Sequence, residues 1–252
     1  MLPNGTRKRL LMDFDKETLQ AAQAAFGFAA GLISQDPTEE WVHSCIGNDM
    51  FAAAPFGEGD KAVTSGLALL SSWCTVARNN LEEETAAIQR EWLRLFVGLG
   101  TPEAPVWESY YTEPNSTMFG RSTLEVRAAY KEWGLEFERK AHEPDDALGI
   151  MLAFCSYLMG RELDALEAFD SAAAAKAAQS LESFLVAHML PWASAWRFLV
   201  KNHAKTDYYR GVGELVFGLE RAYAKRFGIE CNEEDGTFSY VLSAKAREEE
   251  GA

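Results

Sequence analysis

The stretch IQREWLRLFVGLGTP, residues 88–102, decides how the rest of the chain is read. Its apolar residues Ile88, Trp92, Leu95, Phe96 and Leu99 recur at intervals of three and four, which places them on one face of a helix. Gly98, Gly100 and Pro102 then stop that helix, because glycine accepts a left-handed turn and proline removes a backbone donor. The same grammar extends upstream. From Lys61, the residues Val63, Leu67, Leu70, Cys74 and Ala77 share one helical face.

Downstream, Ser122 and Glu125 form a capping-box pattern ahead of Val126, Ala129, Tyr130 and Trp133, with Gly134 as the stop. Asp145 or Asp146 can cap a helix that carries Leu148, Met151, Leu152, Cys155, Leu158 and Met159. Leu181, Leu185 and His188 share a face beside Phe184, and Pro191 ends or kinks that helix. Trp192, Trp196, Leu199 and Val200 resume the pattern. A last strong helix carries Tyr208, Val212, Leu215, Val216, Leu219 and Tyr223 and stops at Gly228. No run shows sustained period-two alternation with β-branched residues. The expected fold is all-α: a single globular, helical bundle-like domain of about ten or more helices.

Two segments interrupt the helices. Residues 100–120 read as a long, aromatic-rich connection with Pro102, Pro105, Trp107, Tyr110, Tyr111, Pro114 and Phe119. Connections this long inside a compact domain are functional or mobile. The second, Lys140–Asp146, is a short polar hinge. The expected organisation is one all-helical domain over residues 1–230, with parts of about 1–140 and 145–230 joined at the hinge, then an acidic, partly flexible tail over 231–252.

Composition excludes several function classes. With 48% hydrophobic and 25% charged residues the chain is globular, and 24 basic against 38 acidic residues give a net charge of −14. That charge argues against nucleic acid and against anionic membranes as partners. It suits a basic ligand such as an Arg-containing peptide, or simply keeps the protein soluble. Cys45, Cys74, Cys155 and Cys231 are widely spaced without a CxxC pair, as in a reduced cytoplasmic protein. Arg7, Lys8 and Arg9 are followed at once by Asp13, Asp15 and Glu17, so no cleavable signal fits. The run Leu19–Ile33 is too short and too Ala-rich to span a bilayer.

Catalytic chemistry finds no foothold. His43 near Cys45 lacks a second ligand pair, so no metal is expected. His142 with Glu143 and Asp145 reads as a solvated hinge without a nucleophile, and His188 as a satisfied core histidine. His203 lies near a helix end, where its charge meets the dipole. No phosphate loop, dinucleotide fingerprint or nucleophile elbow is present. Trp92, Trp133 and Trp196 sit at core spacing. Trp107, beside Glu108 and Ser109 in the long connection, suits an apolar, Arg-bearing peptide, or packs down on the helices.

Several ordered blocks carry a family resemblance. EWLRLFVGLG (91–100), PVWESYY (105–111), MFGRSTL (118–124), EPDD (143–146), HMLPW (188–192) and YYRGVGEL (208–215) resemble the signature of the TorD/DmsD/NarJ family of redox-enzyme maturation, or Tat-proofreading, chaperones. The resemblance runs from about residue 85 to 220 and is nearest to the DmsD-like branch. It implies an all-α cytoplasmic chaperone, not an enzyme and without a cofactor of its own. Its implied partners are the twin-arginine signal peptide and the apo catalytic subunit of a molybdopterin-containing oxidoreductase of the dimethyl-sulfoxide reductase kind. In this role it assists cofactor insertion and delays Tat export, which makes the Tat translocase a further partner. The resemblance allows a monomer or a domain-swapped dimer exchanged at the hinge.

The family's leader-binding positions carry over to Trp107, Ser109 and Tyr111 in the loop and to Glu143, Pro144 and Asp146 in the hinge. Glu108, His142 and Asp145 join them as neighbouring polar groups. The expected mechanism has Asp145, Asp146, Glu143 and Glu108 meeting guanidinium groups while Trp107 covers the apolar stretch. Ala147 stands where the family has a histidine. The alternative is an assembly factor that binds mature regions of a redox enzyme without leader recognition. A nucleotide hydrolase is a third reading, disfavoured by the missing phosphate loop.

Overall fold

The computed structural model describes residues 14–98, 100–113, 120–136 and 143–229. The described helices are α1 (Lys16–Ser34), α2 (Glu39–Gly47), α3 (Lys61–Ala77), α4 (Leu81–Trp92), α5 (Glu108–Thr112), α6 (Arg121–Glu132), α7 (Leu148–Glu167), α8 (Ser171–Phe184), α9 (Leu190–His203) and α10 (Asp207–Ala224). Two π-turns, Leu93–Val97 and Leu185–Met189, prolong α4 and α8, and a 3₁₀ turn, Lys225–Phe227, closes α10. Among the described residues there is no strand, only an isolated bridge. The all-α expectation holds.

Local chemistry sets many helix starts. The side chains of Asp15, Thr38, Asp60, Asp170 and Thr206 each accept a first-turn backbone N–H of the helix that follows. Helix α4 instead opens on Glu82, Glu83 and Glu84, whose charges favour the positive end of the dipole. Three expectations need correction. Ser122 and Glu125 do not form a capping box: Glu113 reaches across to accept from both Ser122 N and Ser122 Oγ, at 2.8 and 3.0 Å, while Glu125 pairs with Arg121. Neither Asp145 nor Asp146 caps α7; the carbonyl of Val106 takes the N–H of Leu148 at 2.7 Å. The 100–120 connection is also not wholly irregular, since α5 lies within it.

Helix α10 is the axis of the molecule. Nearly every residue from Tyr208 to Tyr223 is buried, so the helix is covered on all sides. Small residues let α3 press against it. A Cβ on Gly66 would stand 2.7 Å from the backbone N of Leu215, and one on Gly218 would stand 2.6 Å from that of Val63. Helix α1 packs along α7, and α7 along α8, which builds a second layer joined to the first by contacts of α1 with α10. The contacts α1–α7 and α3–α10 both cross the expected hinge in sequence.

Three ion pairs lie in or against this core. Arg221 binds both carboxylate oxygens of Asp60, at 2.8 and 2.6 Å, and Arg197 those of Glu214 at 3.0 and 2.5 Å. Arg226 holds Glu162 together with the Tyr223 hydroxyl. Each pair ties α10 or its last turn to another element, where leaving one partner alone would strand a buried charge. Cys45, Cys74 and Cys155 are free and buried, and Cys231 lies outside the described residues. No helix among the described residues is long and apolar enough to cross a membrane.

Candidate peptide-binding site

The site begins where the first π-turn ends. Gly98 adopts a positive φ of 67°, and the chain turns back so that Glu103 N and Ala104 N bond to the carbonyls of Arg94 and Leu95. Pinned there, residues 104–107 run extended against the segment entering α7. Leu148 N donates to Val106 O, Glu108 N donates to Asp146 O at 3.1 Å, and Trp107 and Ala147 form an antiparallel bridge. The aromatic loop and the Glu-Pro-Asp-Asp segment, distant in sequence, are thus one structural unit.

Asp146 is the pin of that unit. It is fully buried; one oxygen accepts Ser109 N at 2.8 Å and the other accepts the Thr123 hydroxyl at 2.9 Å. The carboxylate therefore caps α5 and ties it to α6. Asp145, next to it, receives the Arg127 guanidinium (Nε–Oδ2 2.9 Å), and its carbonyl accepts the Tyr130 hydroxyl. Both aspartates hold the free protein together. Pro144 is buried behind them, and Glu143 faces solvent. His142 lies outside the described residues.

On the loop side, the Tyr111 hydroxyl closes on Pro105 O at 2.7 Å, and its ring stacks on Trp192 with centroids 5.0 Å apart. Trp107 is half-buried and packs against the core. The indole N–H of Trp107 and the hydroxyl of Ser109 are both buried without a hydrogen-bond partner among the described residues. Glu108 is buried and faces His188, whose Nδ1 lies 3.2 and 3.1 Å from its two oxygens. Burial pushes the Glu108 carboxyl above its ordinary range, the neighbouring Asp146 and Glu125 push the same way, and His188 opposes them.

The structure thus gathers Trp107, Glu108, Ser109, Tyr111, Pro144, Asp145 and Asp146, with Glu143 at the edge. Sequence reading passed over Thr123, Arg127 and Glu113, and took His188 for a core residue. His188 does sit against the core, 5.2 Å from the Phe184 ring, but its partner is a site carboxylate. The π-turn that presents it is a local irregularity of a kind common at functional sites, and nothing in the apolar periodicity announces it.

Comparison with known proteins gives the site a context. The model of the nitrate reductase delta subunit family matches residues 58–197, a range that contains every residue of the site. The chain is 29% identical over 130 residues to the Tat proofreading chaperone DmsD of Salmonella typhimurium, and 28% identical over 132 residues to that of Salmonella typhi. In both cases the match spans 52% of this chain and 57% of the relative, so the chain covers only a little over half of the length of either. A crystal structure of a redox enzyme maturation protein from Archaeoglobus fulgidus aligns over 84% of this chain and 98% of its own, with a TM-score of 0.43 and 17% identity.

Proposed function

The chain belongs to the nitrate reductase delta subunit family, the TorD/DmsD/NarJ group, and from that premise we propose that it is a cytoplasmic Tat-proofreading chaperone. It binds the twin-arginine leader of a molybdopterin-containing oxidoreductase subunit, keeps the apo subunit from export while cofactor is inserted, and acts by binding and not by catalysis. The observation that carries this reading is the junction of the Trp107 loop with the Glu143–Asp146 segment through the Trp107–Ala147 bridge and the Asp146–Ser109 bond. That unit carries the half-buried Trp107 on one segment and the exposed carboxylate of Glu143 on the other, which supports a ligand with cationic and apolar halves.

The net charge of −14 supports the same reading, because it draws a basic peptide in and speeds its encounter. Apolar contact then supplies most of the affinity, and the carboxylates supply register. Calorimetric titration of the purified protein with leader peptides of molybdoenzymes from the same genome tests it, with Arg-to-Ala peptides as controls. Saturable binding to one leader, weakened in the controls and by salt, is the expected result. A protein that ignores every leader but binds the leaderless subunit would instead be an assembly factor for the mature client.

A further inference from the structure

The three carboxylates around Trp107 differ in what already satisfies them. Asp146 is saturated by a backbone N–H and a hydroxyl, and Asp145 by a guanidinium. Glu108 is different. Among the described residues no Arg or Lys stands within ion-pair distance of it, and its side-chain partner is the imidazole of His188. A single ring nitrogen is shared between both carboxylate oxygens, where a guanidinium fork would give each oxygen its own N–H. His188 is also the more accessible of the two, with 12% of its side chain exposed against 4% for Glu108.

The surroundings of Glu108 sharpen the contrast. Asp146 and Glu125 add negative charge, and burial removes water, so the group is short of a permanent positive partner. On either side of it in the chain, the Trp107 indole N–H and the Ser109 hydroxyl are buried with their hydrogen-bonding capacity unspent. Trp73, Thr85, Trp196 and Tyr209 also carry unpartnered buried polar atoms, but among the described residues only at Trp107 and Ser109 do two of them flank an undercompensated carboxylate, which leaves hydrogen-bonding capacity beside Glu108.

We propose that Glu108 is the residue that recognises arginine in the leader, and that His188 is a placeholder which the guanidinium displaces. In the bound state two parallel N–H bonds from arginine replace the one shared imidazole N–H. Lysine, a point charge without the planar fork, does not make this exchange equally well. The inference rests on the leader-binding reading and names the ligand group that the site selects.

The test titrates the full chain with one leader in its Arg-Arg and Lys-Lys forms, for the wild type, Glu108→Gln and His188→Gln, with thermal melts of all three. The wild type is expected to prefer the Arg-Arg peptide by about tenfold. Glu108→Gln, which still hydrogen-bonds His188, is expected to bring the two peptides within about twofold of each other. His188→Gln is expected to keep the preference and to bind the Arg-Arg peptide at least as tightly as the wild type. A Glu108→Gln protein that keeps the wild-type ratio overturns the proposal, as does loss of the preference in His188→Gln or a wild type that binds both peptides equally. A wild type that binds no leader in either form overturns the leader reading with it, so the two failures are told apart.

Discussion

The carboxylate of Asp146 accepts the backbone N–H of Ser109, 37 residues earlier in the chain, at 2.8 Å, and with its other oxygen takes the Thr123 hydroxyl at 2.9 Å. Through these two bonds one buried side chain fixes α5 and α6 relative to the start of α7. The Trp107 side of the site is therefore placed by a residue that itself stays out of solvent. Replacing Asp146 with Ala leaves a buried N–H and a buried hydroxyl unsatisfied, at a cost of about 2–4 kcal/mol. For a chain of this size that lowers Tm by about 4–16 °C. Thermal melts of Asp146→Ala, Thr123→Ala and the double variant measure it, with the double variant expected to fall well short of additivity because the two groups share a bond. Leader affinity is expected to fall with Asp146→Ala even though the residue is a positioning residue.

Glycines in equivalent helical settings are expected to respond oppositely to alanine. At Gly66 a new Cβ meets the backbone of α10 at 2.7 Å, and neither backbone can yield without separating α3 from α10. Gly66→Ala is expected to destabilise by about 1–3 kcal/mol despite the better helix propensity of alanine. Gly31, inside α1, has nothing within 4 Å of the Cβ position. Gly31→Ala should stabilise by about 0.5–1 kcal/mol. Chemical denaturation of the two variants gives both signs, and a stabilised Gly66→Ala would contradict the close α3–α10 contact.

Phe169 occupies a position made for glycine. At the end of α7, Asp170 N bonds to Ala165 O and Phe169 N to Leu166 O, the paired bonds of a Schellman turn, and Phe169 takes a φ of +58° at its centre. The side chain is 94% exposed, so packing returns nothing for the left-handed backbone. Phe169→Gly is expected to raise stability by about 0.5–1 kcal/mol, a Tm increase of about 1–4 °C, with Phe169→Asn giving a smaller gain in the same direction. Differential scanning calorimetry checks both.

Glu220 makes stability fall as pH rises. It is 2% exposed within α10, and desolvation pushes its carboxyl up to about 8. Below the ordinary carboxylate range the group is protonated in both the folded and the unfolded chain and contributes no slope. Between that range and about pH 8 the unfolded chain loses the proton while the folded chain keeps it, so the folded state binds more protons and each pH unit costs stability, up to about 1.4 kcal/mol. Above pH 8 the slope from this group ends. Melts from pH 5 to 9 should show the decline, and Glu220→Gln, which is uncharged throughout, should flatten it. An unchanged slope in that variant would assign the decline to other groups.

The sequence by itself determined the helical architecture, since what specifies a helix is local. Apolar spacing of three and four, and Gly134 or Gly228 at the end of a run, act within a few residues of the bonds they govern. The family resemblance likewise pointed to two segments, around Trp107 and around Asp146, which the fold joins into one unit. Only the tertiary structure decided what their polar groups do. Asp145, Asp146 and Glu108 look alike in sequence, as three acids near an aromatic loop. In the fold one is bound to Arg127, one caps a helix 37 residues away, and one faces His188, 80 residues further along the chain. Glu113 took the capping role that Glu125 was placed to fill. The reason is physical: a buried carboxylate takes the donors that packing delivers to it, and packing brings together residues whose separation in the chain carries no signal of their contact.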